Sequence, residues 1–465
     1  MFFKQLQSAL LFAILAYSSV GFADDTELYV FESSARTGVR PQVLIIFDNS
    51  GSMKTVETDA VSGYDSSIIY PAVGSDNSLQ ERMVYFTKGG IDNTSLPVPG
   101  SPSESRRFLN EVNGCETSWN YLDKYGVFTG FFREYSFTGQ NGTWQEVPDN
   151  NGANITVLDC FDDIDTAKWR NAPNQPDGFP VDSAGNKKNP VRYTEINGQS
   201  SQANIDAALV KAKQTGFGTG QALTLYSDNY LRWYHGPKVT VPKSRLDIAK
   251  EVITETIVTT PSVDFGLAIF NINAFSEGDA DGGRIVSGIK TMSESNKISL
   301  LNTISNLDPQ TNTPLCETLY EAYNYFGGNA VTFGNKDKKP SGYSYTPNKP
   351  PRDLTIEGGG KYISPFKDCQ NRAYVVYITD GVPTLDNNAD SLIKNLPKVN
   401  KTGFVNVKPQ FTSFLPNLAG WMNKYDVNTN ISGDQNVTTF TIGFSDGADD
   451  AAELLTKTAD EGGGE

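Results

Sequence analysis

Residues 43–53 read VLIIFDNSGSM, and the two halves of that stretch ask for opposite surroundings. VLIIF is an unbroken apolar run, the pattern of a strand covered on both faces in a parallel sheet. DNSGSM is turn chemistry, short polar side chains that bond to their own backbone. A second run, YVVYI at 374–378, ends in the same manner, in Thr379-Asp380-Gly381. Further strand candidates are 263–270 (VDFGLAIF) and 437–444 (VTTFTIGF), and 284–289 forms a hairpin partner for the former.

Helical patterns separate these runs. Ser244 with Asp247 makes a capping-box-like start, followed by Leu246, Ala249, Ile253 and Ile257 on one face. Leu315, Leu319, Ala322, Tyr323 and Phe326 define a second amphipathic helix over 313–326, opened by Thr313, and 448–460 a third. Strands alternating with helices imply βαβ units, a parallel sheet and right-handed crossovers, hence an α/β fold.

Two stretches break the alternation. Residues 54–243 are rich in Asn, Gly, Ser, Tyr and Pro, with short helices near 204–213 and 219–234. Residues 328–371 hold Gly, Lys, Pro and Tyr clusters and no clear element. A structureless loop of such length does not suit a compact domain. We read 54–243 as an inserted subdomain and 328–371 as a surface excursion from the main domain. Its aromatic crowding at Trp119, Tyr121, Tyr125, Phe128, Phe131 and Phe132 reads as a small core for the insertion rather than a binding face.

The chain has 465 residues, and 39 Lys+Arg against 54 Asp+Glu give a net charge of −15. An acidic chain is poorly suited to neutralise phosphates, which argues against nucleic acid. A single histidine, His235, excludes chemistry that needs two histidines or a His-rich zinc cage, and its place beside Trp233 and Tyr234 reads as structural. Lys4, the apolar stretch 10–17 and Gly21-Phe22-Ala23 together read as a signal peptide over 1–23, cleaved after Ala23. That stretch is too short to span a bilayer, and no other segment is apolar enough, so no transmembrane segment is expected in the mature chain. Four cysteines in an exported chain suggest two disulfides, with three possible connectivities. Order along the chain favours Cys115–Cys160, stapling the insertion, and Cys316–Cys369, closing the base of the excursion.

The chemistry sits where the apolar runs end. Asp48 and Asp380 close two strands, so in a parallel sheet both emerge at the carboxyl edge, where ligands bind at a topological switch point. Ser50 and Ser52 lie two apart and face the same way in an extended turn, and Thr313 brings a third hydroxyl from a neighbouring loop. This all-oxygen set selects a hard cation, Mg²⁺ first with Mn²⁺ or Ca²⁺ as alternatives. A lone D-x-S-x-S is ordinarily just a turn with capping hydroxyls; the ordered combination of strand, D-x-S-x-S, distant T-P-L and strand-T-D-G points to metal. A lesser signal, the acidic loop at 277–283, lacks EF-hand spacing and reads as a hairpin turn, and Asp162, Asp163 and Asp165 read as a charged turn.

These elements resemble the metal-ion-dependent adhesion site of von Willebrand factor type A domains. The likeness covers 24–53 plus 244–460 and matches at all five positions. It implies a doubly wound, mostly parallel, Rossmann-like sheet over 24–53 plus 244–465, interrupted by the insertion. It also implies that Ser50, Ser52 and Thr313 bind the metal directly while Asp48 and Asp380 act mostly through water, Asp48 also orienting the serine loop. A narrower resemblance is to the amino-terminal region of PilY-type type IV pilus adhesin and biogenesis proteins. It rests on the signal peptide, Gly38-Val39-Arg40-Pro41, the long insertion after Ser52-Met53, Asp264-Phe265-Gly266-Leu267 and Gly282-Gly283-Arg284-Ile285. Those proteins carry a further strand and helix and a β-propeller, which this sequence, ending at Glu465, does not include.

What the resemblance implies is an exported, non-enzymatic adhesion module at the cell surface, reached through the periplasm. Its partner is a protein with an exposed carboxylate, on a host surface, in matrix or on a pilin, whose acid group completes the Mg²⁺ sphere. The alternative is a structural assembly or tip-complex component that binds minor pilins of a type IV pilus, with the metal merely locking the loops. A metal-assisted hydrolase would need a general base beyond Asp48 and Asp380, and none is visible.

Overall fold

Every residue of Gln42–Phe47 (β1) is buried, as an unbroken apolar run requires when both faces of its sheet are covered. The computed structural model describes residues 40–465 except 76–81, 90–95, 139–140, 151, 156–157, 162–180, 187–188, 193–217, 219, 272–281, 310–311, 337–348, 368–371, 385 and 408–409. In it β1 is the middle strand of five. The others are Asp264–Phe270 (β2), Gly283–Ser287 (β3), Arg372–Thr379 (β4) and Asn436–Gly443 (β5), in the spatial order β3-β2-β1-β4-β5. β1 pairs in parallel with β2 and with β4, and β4 in parallel with β5. β3 runs antiparallel to β2, the hairpin its position suggested. The molecule is therefore a mixed α/β protein built on a largely parallel sheet.

Alternation along β1 explains why its run has no polar gap. Val43, Ile45 and Phe47 share one core with Leu246, Ile253 and Ile257 of Arg245–Thr259 (α1) and with Leu300 and Ile304 of Glu294–Ser305 (α2). Leu44 and Ile46 share a second core with Leu315, Leu319 and Phe326 of Leu315–Gly327 (α3) and with Leu418 and Trp421 of Leu415–Lys424 (α4). The chain fills one side of β1 with β2 and β3, then returns to the other side with β4 and β5. Strand order thus reverses between β1 and β4, the kind of position at whose carboxyl ends open α/β sheets bind ligands.

Local signals account for most boundaries and miss a few. Ser244 caps α1, its hydroxyl oxygen accepting the Asp247 N–H at 3.1 Å. α3 begins at Leu315 rather than at Thr313, with Pro314 in the cap position and no side chain capping it there. Proline restricts the residue before it to extended backbone, which leaves Thr313 in the preceding loop. The segment 448–460 is a turn of helix at Asp446–Asp449 followed by Ala452–Gly462 (α5). Past α5, Gly463 bridges in parallel to Thr439 on the outer edge of β5.

The inserted stretch leaves and rejoins the sheet domain through a two-stranded antiparallel ribbon, Val56–Val61 with Thr240–Ser244. Beyond the ribbon lies a four-stranded antiparallel sheet in the order 107–109, 83–88, 223–227, 127–130. The expected helix at 219–234 is corrected: Leu223–Ser227 is one of the two inner strands of that sheet, and helix begins only at Asp228. Pairing on both edges overrides the local helical pattern. Tyr121, Phe128 and Phe132 are buried in the core here, with Tyr121 and Phe128 ring centroids 5.3 Å apart, whereas Trp119 is exposed. The insertion also rests on the sheet domain, where Tyr230 donates to Glu255 of α1 at 2.7 Å and Tyr121 to Glu294 of α2 at 3.1 Å.

Described parts of the 328–371 excursion are packed. Glu321 of α3 is fully buried and accepts the Tyr362 hydroxyl at 2.6 Å and the Phe333 N–H at 2.7 Å. The signal peptide and the short helix expected near 204–213 lie outside the described residues, as do Asp162, Asp163 and Asp165 and residues 277–281 of the acidic loop at 277–283. Among the described residues no helix is long and apolar enough to cross a membrane.

Cys115 and Cys160 are disulfide-bonded across 45 residues of chain. Closing a loop of that size in the unfolded chain is worth about 4 kcal/mol in the chain-entropy account. Cys115→Ser with Cys160→Ser should therefore lower the unfolding free energy by about 2–4 kcal/mol in denaturant titration, and no change would mean that the unfolded insertion is already compact.

Candidate functional site

Register delivers two acids to one place. Phe47 of β1 lies opposite Ile378 of β4, and the ladder runs one step further, the Asp48 N–H donating to the Ile378 carbonyl at 3.0 Å. Asp48 is completely buried. Its Oδ1 accepts the Ser50 N–H at 2.7 Å, an Asx-turn, and its Oδ2 accepts the Thr379 hydroxyl at 2.6 Å. Asn49 continues the pairing on the other side of β1, its Oδ1 accepting the Phe270 N–H at 2.9 Å. The serine turn is thus held from β2 and from β4 at once.

Hydroxyls link the turn to the second acid. Ser50 Oγ lies 2.8 Å from Ser52 Oγ, and the Ser52 hydroxyl donates to Asp380 Oδ1 at 2.6 Å. Asp380 is 1% exposed, and its Oδ2 accepts from Arg245 at 3.1 Å. The same guanidinium donates through Nε to Glu57 at 2.6 Å. Gly447, after β5, lies so close to the Asp380 carbonyl that a Cβ would collide with it, so the loop carrying Asp380 is pinned from that side also.

Thr313 reaches this edge by another route. Its N–H donates to Thr384 Oγ1 at 2.9 Å, and its carbonyl accepts the Thr384 N–H at 3.0 Å, four residues past Asp380. Asp386, further along the same loop, accepts the Cys316 N–H at the start of α3 at 2.6 Å. Burial, and then the neighbouring Glu317, push the Asp386 carboxyl well above the usual range. Asp48, Ser50, Ser52 and Asp380 therefore form one hydrogen-bonded unit, while the Thr313 hydroxyl bonds to none of the four.

Burial and the charge of Asp380 raise the Asp48 carboxyl from 3.8 to about 6, against the lowering pull of Ser50 and Thr379. Two acids close enough to oppose each other's ionisation are a common basis for cation binding. Here the donors are all oxygen, and Ser52 is exposed while Asp48, Ser50 and Thr313 are buried, so the set opens to solvent on one side. Among the described residues no three His, Cys, Asp or Glu side chains come together as a metal-holding group. A cation taken up here would rest on two carboxylates completed by serine and threonine hydroxyls, a set that fits Mg²⁺ better than zinc.

Sequence reasoning missed several participants. Thr379 was visible only as the letter before Asp380, and Asn49 only as the variable position in D-x-S-x-S. Arg245 and Glu57 carried no signal, because their roles depend on where the ribbon returns. His235 donates through Nε2 to the Pro97 carbonyl at 2.9 Å and takes no part in the site. Cys316 is a buried free thiol, and its expected partner Cys369 lies outside the described residues.

Because the folded state holds the Asp48 proton up to about pH 6, against 3.8 in the unfolded chain, it favours the neutral acid. That contribution to stability is complete below about pH 4 and is lost as pH rises through about 6. In EDTA, the stability of the wild type relative to Asp48→Asn should fall by on the order of 3 kcal/mol between pH 4 and pH 7. A difference that stays constant over that window would contradict the assignment.

A protein-family model described as a domain of unknown function (DUF8355) matches residues 83–236, all within the segment inserted after the serine turn. No curated protein and no solved structure matches the chain.

Proposed function

We propose that the sheet domain is a von Willebrand factor A-like, doubly wound module that binds a protein partner through a Mg²⁺-type ion at its carboxyl edge. The observation that carries this reading is the continuous path Ser50–Ser52–Asp380 beside the buried Asp48, contributed by two adjacent parallel strands. In this reading Ser50, Ser52 and Thr313 hold the ion, and Asp48 and Asp380 act mostly through water. The ion supplies a Lewis-acid contact for a carboxylate of the partner. The chain's own residues do the rest: they neutralise two charges, keep the serine turn rigid through Asn49 and Thr379, and leave one side open at Ser52.

The inserted segment emerges directly from the serine turn and returns at α1, beside Asp380. In our reading it shapes which partner is accepted. Export, display at the cell surface and association with a type IV pilus rest on the PilY-type resemblance. A second reading, a pilus assembly or tip-complex component whose loops are simply locked, draws on one observation: Asp380 is already satisfied by Ser52 and Arg245 through protein contacts alone.

The two readings separate in the cell. For an adhesion module, Asp48→Ala and Ser52→Ala abolish cation-dependent adhesion, as EDTA does in the wild type, while circular dichroism stays unchanged. Adhesion that survives both the variants and EDTA would overturn the reading. For an assembly component, deleting the gene removes surface pili, whereas the ligand variants leave pilus counts unchanged.

A further inference from the structure

We propose that Arg245 is a tethered cation that competes with the divalent ion for Asp380, and that Glu57 makes this competition answer to the inserted segment. The inference rests on the metal reading above and goes beyond it by naming how the site is regulated.

Arg245 is the first residue of α1, immediately after the ribbon strand Thr240–Ser244, and its N–H donates to the Thr55 carbonyl at 3.0 Å. Its backbone is therefore fixed beside the serine turn, and its side chain is 12% exposed. The guanidinium fork reaches two acids, Nη1 on Asp380 and Nε on Glu57. They are unequal partners: the Asp380 side chain is 0% exposed and that of Glu57 39%. Ion pairs in low dielectric are strong and poorly screened, whereas exposed pairs are weak.

Asp380 thus already has one positive charge on Oδ2. A divalent ion that recruits this acid must either displace Arg245 or share the carboxylate with it at a cost in affinity. Glu57, already bonded to Nε, retains the guanidinium when Nη1 leaves Asp380. It sits on Val56–Val61, the strand by which the chain leaves for the insertion, opposite Lys243 on the returning strand. A partner that pulls on the insertion moves Glu57, and with it the balance of Arg245 between its two acids. By linkage, whatever makes partner binding tighten the ion also makes the ion tighten the partner.

The test is calorimetric titration of the full chain with Mn²⁺. Arg245→Gln should tighten Mn²⁺ binding about tenfold or more, a typical size for coupled sites. Arg245→Lys, which keeps the charge, should stay within about threefold of the wild type. Glu57→Gln should weaken Mn²⁺ a few-fold, because the guanidinium then rests on Asp380 alone. Wild-type binding that Arg245→Gln leaves unchanged or weakens would overturn the competition while leaving the metal reading intact. Tightening by Lys equal to that by Gln would show that charge is not the cause, which also overturns it. Unchanged or tighter binding in Glu57→Gln would remove the link to the insertion. If neither the wild type nor Arg245→Gln binds Mn²⁺, the metal reading itself fails and this inference with it. Should Arg245→Gln not fold, Arg245→Met takes its place, with the same tightening expected and the same outcomes overturning the competition.

Discussion

The parallel pairing of β1 with β4 is the constraint from which the rest follows. Parallel neighbours end on the same side of a sheet, so residues that follow them in sequence are forced together in space although 332 positions separate Asp48 from Asp380. The sheet buries what it delivers, because helices pack on both of its faces. Asp48 pays for that position in ionisation, and its neighbours supply the compensation: a backbone N–H from Ser50 and a hydroxyl from Thr379. Without the crossover that places β4 beside β1, the serine turn would be an ordinary capped turn.

How far the fold could be read depended on how locally each element is determined. β1 and β4 announce themselves, since two-sided burial leaves no room for polar residues. α1 does too, because Ser244 and Asp247 form its cap within four residues. Leu223–Ser227 could not be read as a strand from its own letters. It is a strand because Met83–Lys88 and Val127–Gly130 flank it, and both are far away in sequence: Thr87 and Tyr226 are 139 positions apart and Thr129 and Thr224 95. The start of α3 was misplaced by two residues because Pro314 overrode the capping preference of Thr313.

The site divides the same way. Asp48, Ser50, Ser52 and Asp380 were legible since strand ends fix where they emerge, and the turn type fixes how they face. Thr313 was legible as a neighbour, and the structure brings it there through Thr384 and Asp386 rather than through the other four. Arg245 and Glu57 were not legible at all. Their partnership exists only because the ribbon closes, and no pattern within either strand records that.

One consequence follows from the direction of the hydroxyl hydrogens. Ser52 directs its proton inward to Asp380, and Ser50 directs its own to Ser52 or Asp48, both also inside the network. What the hydroxyl of exposed Ser52 presents to solvent is therefore lone-pair density. The serine hydroxyls therefore offer an incoming anion no proton, and the Arg245 guanidinium beside them is already engaged by Asp380 and Glu57. If the site takes up a cation as proposed, the order of arrival follows from these proton positions, the ion first and the acid group after it.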